Sequence, residues 1–95
     1  MEKIKVTVRV ADRDYTLYTR DSREKVERIG RTVERKMTEM SVLMRIPMAD
    51  TAVLTAMDFC DDMLKARDEV TALRIRLEQA EKALAEERAL REAQA

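Results

Sequence analysis

Residues 52–84 read AVLTAMDFCDDMLKARDEVTALRIRLEQAEKAL, and from here to Ala95 there is no Pro and no Gly. The segment is built from Ala, Leu, Glu, Arg and Met, which are good helix formers. A seven-residue register organises it. Position a falls on Ala56, Met63, Val70, Leu77 and Leu84, and position d on Ala52, Phe59, Ala66, Leu73 and Ala80. Every one of these is apolar, which predicts the seam of a coiled coil. Roughly 40 residues at about 1.5 Å each make a rod of about 60 Å. A globular domain of about 100 residues has a radius of gyration near 13 Å. The helix therefore outreaches its own chain and needs a partner to cover it.

The charges beside the seam select a geometry. In a parallel, in-register pair each g residue meets the e residue five positions on in the other chain. Here those pairs are Asp62 with Arg67, Glu69 with Arg74 and Arg76 with Glu81, all opposite in sign. An antiparallel overlap can also match Glu69 with Arg76, which leaves room for a second association between dimers. The small Ala66 and Ala80 keep the seam thin. Between Ala52 and Leu64 further apolar residues, Val53, Leu54, Met57, Cys60 and Leu64, widen the stripe, so this half is expected to be buried on more than one side. Beyond Ala66 the stripe has coiled-coil width.

Upstream, Pro47 disfavours helix at Ile46 and separates this helix from an earlier one, with Asp50 or Thr51 as the expected N-cap of the long helix. In the earlier segment Val26, Ile29, Val33, Met37, Met40 and Met44 recur three or four apart, the stripe of an amphipathic helix. Asp21 and Ser22 are N-cap candidates, and Asp21 with Glu24 resembles a capping box. Gly30 lies beside Ile29. A Gly inside a helix costs about 1 kcal/mol relative to Ala, so close packing of another segment is expected there.

At the N-terminus Ile4, Val6, Val8 and Val10 alternate with Lys3, Lys5, Thr7 and Arg9, a half-buried strand. The polar run Ala11 to Asp14 reads as a turn, and Tyr15 to Thr19 as a second strand. Two strands alone are marginal in water, so the hairpin must pack on helices. The fold class is α+β: an N-terminal β-hairpin, a short helix, then a long C-terminal coiled-coil helix in an obligate dimer. The expected division is a globular head over 1–65 and a coiled-coil tail over 66–95.

Composition narrows function. The 95 residues hold 19 basic and 19 acidic side chains, no His, one Cys and one Gly. Without His the common triads and dyads cannot be built. Cys60 alone makes neither an intrachain disulfide nor a thiolate metal cluster. Gly30 alone supplies no phosphate loop. No catalytic, cofactor-binding or metal-ligating residues are assigned, and an enzyme is not expected. Zero net charge argues against nucleic acid as a partner. No run approaches 18 apolar residues, so no membrane span is expected, and no signal peptide is expected at the N-terminus. Charge is uneven along the chain: residues 1–46 hold 12 basic and 8 acidic side chains, whereas residues 47–72 hold 2 and 6. Complementarity within the head accounts for that asymmetry most simply.

The stretch Ala52-Val53-Leu54-Thr55-Ala56-Met57-Asp58 resembles the opening of the long helix in the ZapA family of bacterial cell-division proteins. Arg28-Ile29-Gly30-Arg31-Thr32-Val33-Glu34-Arg35-Lys36-Met37 is also similar to family sequences, and the order of elements matches over nearly the whole chain. Asp12 stands in the hairpin turn where family members often have Gly. The resemblance implies a cytoplasmic dimer at the division site, with a dimer of dimers as a further assembly. It also implies that the protein binds the tubulin-like GTPase FtsZ, cross-links its filaments and promotes bundling. By the same resemblance the filament-binding surface falls on head charges: Arg13 at the hairpin turn, Arg45 at the linker, and Lys36. The ordinary reading of each is a solvated charge.

Two rivals stand beside this one. A ribbon-helix-helix DNA-binding regulator would use Lys3, Lys5, Thr7 and Arg9 as a groove-reading face, but the second strand, the long helix and the charge balance oppose it. A coiled-coil adaptor with another protein partner shares every sequence feature. Of the smaller features, the Met residues on packing stripes read as core, Cys60 as a small apolar side chain, and Asp61-Asp62 as solvated charge. Ile75, at position f, is an apolar residue on the outer surface.

Overall fold

A computed structural model describes residues 2–95. The elements are β1 (Ile4–Val10), β2 (Arg13–Thr19), α1 (Arg23–Met44), a single 3-10 turn (Met48–Thr51) and α2 (Ala52–Gln94). They form two compact units, Met1–Phe59 and Cys60–Ala95, which divide inside α2. The boundary expected at residues 65 and 66 lies six residues beyond that division.

In the first unit β1 and β2 pair antiparallel from Ile4 opposite Thr19 to Val10 opposite Arg13. The turn is therefore only Ala11-Asp12, shorter than the four residues expected, and Arg13 and Asp14 belong to the strand. Both turn residues have positive φ, 52° and 63°. That is a type I′ turn, whose twist matches the strands it joins. Ala11 takes this conformation at a steric cost, and its N–H is held by Glu34 Oε1 of α1 at 3.2 Å.

Helix α1 covers the β1 side of the sheet. Ser22, in extended conformation, caps it by accepting from the Lys25 N–H. Asp21 forms no capping box but pairs with Lys25 Nζ at 3.2 Å. The expected stripe is rotated slightly in the fold. Val26, Gly30 and Met37 are buried, whereas Ile29 is half exposed. Gly30 explains the rotation: a Cβ there would sit 3.4 Å from Val8 Cβ and 3.7 Å from Val10 Cγ2. The close neighbour is thus a pair of strand valines. Val6, Val10, Val26 and Met37 form the small core.

Three contacts fix the relative direction of strand and helix. Arg23 Nη2 donates to Lys5 O, Gly30 meets Val8 and Val10, and Glu34 meets Ala11. Moving along β1 toward the turn is therefore moving along α1 toward its C-terminus.

Helix α1 ends at Arg45, which adopts the left-handed conformation (φ 56°, ψ 46°). Its N–H and that of Ile46 both bond Ser41 O, and Ser41 Oγ donates to Ile46 O at 2.6 Å. Pro47 then opens the 3-10 turn. Neither Asp50 nor Thr51 caps α2, contrary to expectation, because the turn runs straight into the helix. Thr51 is instead buried, its hydroxyl donating to Met48 O at 2.6 Å. One turn on, Thr55 is buried and its Oγ1 has no hydrogen-bond partner among the described residues.

The second unit is the body of α2, exposed along its whole length. Its ion pairs are local: Asp61 with Lys65 and Glu87 with Arg91, each four residues apart.

Candidate functional site

Three surfaces are candidates: the helix seam, the exposed cations of the head, and a shallow apolar hollow. On α2 the seam residues Ala56, Met63, Ala66, Val70, Leu73, Leu77, Ala80 and Leu84 are exposed, and Phe59 is partly covered. Leu77 is 58% exposed and Leu73 50%. A 43-residue helix with this many bare apolar side chains is not stable on propensity alone, since helical stability in proteins comes mostly from packing an apolar face.

At the head, strand and helix direction place the hairpin turn level with Glu34. Arg13, the first residue of β2, sits at that end and shares the sheet face of Val10, its cross-strand partner. Lys36 lies half a turn beyond Glu34. Arg45 lies 11 residues past Glu34, about 16 Å along the helix axis. Arg13 thus lies level with the middle of α1 and Arg45 at its C-terminal end, so the fold does not set the three cations side by side. Their states differ. Arg13 and Arg45 are exposed. Lys36 Nζ makes a 2.7 Å ion pair with Asp58 of α2, and its side chain is only 29% exposed. Asp58 was not singled out from sequence. The signal for it was the acidic start of the long helix against the basic first helix, and this pair is one instance of that complementarity.

The hollow, about 250 Å³, is lined by Arg28, Ile29, Thr32, Val33 and Phe59. It is shallow and apolar, and it joins the flank of α1 to the first unit's share of the seam through Phe59. No cluster of His, Cys, Asp or Glu among the described residues could hold a metal ion. Among them, too, no single helix is long and apolar enough to cross a membrane. Cys60 is exposed.

A family model described as cell division protein ZapA matches residues 6–93, which takes in the hairpin, both helices and most of the exposed seam. Among solved structures, a ZapA mutant dimer from Geobacillus stearothermophilus is 30% identical, with a TM-score of 0.67, over 82% of this chain and 92% of that chain. No curated protein matches. The match takes in the hairpin from Val6, both helices and the seam as far as Leu84, and the chain belongs to the ZapA family of cell division proteins.

Proposed function

We propose that this protein is a non-enzymatic division accessory factor that binds FtsZ, cross-links its protofilaments and promotes their bundling at the division site in the cytoplasm. The observation that carries the reading is the bare a/d seam on an unbroken 43-residue helix. Two copies pairing that seam in parallel place Asp62 against Arg67, Glu69 against Arg74 and Arg76 against Glu81. Exposed ion pairs contribute about 0.5 kcal/mol or less each, so they set orientation while Val70, Leu73, Leu77 and Leu84 supply the burial. The dimeric state of the Geobacillus relative supports the same assembly.

Each copy then brings one head, and a spacer with two heads binds a polymer bivalently. The second contact is intramolecular, so weak individual contacts combine into strong overall attachment. Arg13 and Arg45 are the exposed cations offered to an acidic filament surface. Lys36 contributes only if its pair with Asp58 is shared or released. A dimer of dimers would carry four heads and bundle at lower concentration.

Sedimentation of FtsZ polymers with GTP, with and without this protein, tests the reading. Co-pelleting with thicker bundles is expected. Absence of both overturns it.

A further inference from the structure

Residues 40–49 read MSVLMRIPMA, with one charged side chain, Arg45, in a chain that is 40% charged. Within this run Val42, Leu43 and Met44 are 75%, 77% and 51% exposed. Successive residues of a helix turn by about 100°. Val42 therefore lies about 140° round α1 from buried Met37 in one direction, and Leu43 about 120° in the other. Neither shares the face that covers β1, and Met44, expected on the core stripe, is half bare. Three consecutive exposed apolar residues break the pattern of a helix whose only task is to cover its own core, and such a run marks a functional surface.

The end of the helix is also held in shape. Arg45 has the left-handed conformation, the N–H groups of Arg45 and Ile46 both bond Ser41 O, and Ser41 Oγ donates to Ile46 O at 2.6 Å. Pro47 fixes its own φ immediately beyond. These bonds are made within the corner itself, so the bare side chains stand on a rigid mount and little order has to be imposed when a partner covers them. The composition is that of the centre of an interface, where Met and Arg are enriched and Lys, Glu and Asp are depleted. Arg45 is exposed and makes no ion pair among the described residues.

We propose, on the filament-binding reading above, that Val42, Leu43 and Met44 form an apolar anchor that enters a pocket on the FtsZ filament, with Arg45 bonding a carboxylate at the rim of that pocket. The attachment then has an apolar centre as well as its charges. Other occupants fit less well. Arg45 stands between Glu39 and Asp50, one cation against two carboxylates. That lacks the positive excess by which nucleic acid or an anionic lipid surface is recruited. A two-fold contact between copies centred on this corner would set Arg45 against Arg45 of the partner subunit, a like-charge pair. The corner also lies outside the a/d seam, which begins at Ala52.

Co-pelleting with FtsZ polymers and GTP tests the anchor in the full chain. Val42→Gln with Leu43→Gln removes the apolar surface from a helix that Gln suits. Val42→Ile with Leu43→Met keeps it. In the Gln variant the half-saturating concentration for co-pelleting should rise at least about tenfold, with melting temperature and oligomeric mass unchanged. The Ile and Met variant should bind like the unsubstituted chain. Binding by the unsubstituted chain should outlast added salt, because apolar burial is not screened, whereas residual binding by the Gln variant should vanish with it.

Equal co-pelleting by the Gln variant and the unsubstituted chain overturns the anchor and leaves the filament reading standing. No co-pelleting by the unsubstituted chain overturns both. A lower melting temperature or a changed mass in the Gln variant means that the chain itself or a second copy covers Val42 and Leu43, which overturns the anchor. Binding to phosphatidylglycerol vesicles or duplex DNA that the Gln variant loses, with co-pelleting unchanged, assigns the surface to that partner and overturns it as well.

Discussion

Single residues in this chain carry local conflicts that mutation can expose. Ala11 sits at φ 52° in the hairpin turn, where a non-glycine side chain costs about 1–2 kcal/mol and Asn is better tolerated. Ala11→Asn should raise stability by about 0.5–1 kcal/mol, read as a higher melting temperature at fixed protein concentration. The bond from the Ala11 N–H to Glu34 should survive the change, because it uses only the backbone. Thr55 presents a different conflict, a buried hydroxyl with no hydrogen-bond partner among the described residues. Thr55→Val keeps the shape and removes the unpaired group, so it should stabilise by about 1 kcal/mol. A drop in melting temperature would mean that the hydroxyl is bonded in the assembled protein. Gly30 was legible from sequence as a close-packing site, because a Gly inside an otherwise regular stripe asks for a reason. What touches it was not legible. The 3.4 Å approach to Val8 predicts that Gly30→Ala is tolerated and that Gly30→Leu destabilises by about 1–3 kcal/mol through overpacking.

At the scale of elements, the end of α1 and the body of α2 behave differently. Arg45 terminates α1 in the left-handed conformation, which Gly adopts without strain. Arg45→Gly should therefore leave the fold at least as stable while deleting a proposed filament contact. Retained melting temperature with weakened FtsZ co-pelleting is the expected pair of results. On α2, Leu77→Glu with Leu84→Glu places charge in the seam and should cost about 2 kcal/mol or more per site pair. Circular dichroism should report lost helix, and analytical ultracentrifugation should report loss of any tetramer before loss of the dimer. The helices themselves were readable as elements: Pro47 and the heptad spacing mark where α1 ends and α2 runs. The start of α2 was not. A cap residue was expected at Asp50 or Thr51, but a 3-10 turn can feed a helix without one, and the Thr51 hydroxyl turned back to Met48 instead.

For the molecule as a whole, the predictions concern valency and charge. Arg13→Glu should reduce FtsZ bundling severalfold while leaving the dimer intact by light scattering. Unchanged bundling would remove Arg13 from the contact surface. Lys36→Glu should behave differently, because Lys36 is held by Asp58. It should lower the melting temperature as well as the bundling, and Asp58→Lys in the same chain should restore stability. This contrast separates a cation that serves the head from one that serves a partner.

The set of elements and the need for a second chain follow from local patterns of residues. Alternation over Ile4 to Val10, one Pro between two helical stripes, and ten apolar residues at heptad spacing are local, periodic signals, and a long helix with a bare seam cannot be satisfied alone. The pairings between distant segments came only with the folded chain. Folding rotated the α1 stripe so that Gly30 meets Val8 and Val10, joined Lys36 to Asp58, buried Thr51 and Thr55, and packed α1 on β1 rather than β2. None of these has a period in the sequence. Each depends on the side of a helix or the edge of a sheet that a distant segment comes to occupy, and packing alone sets that.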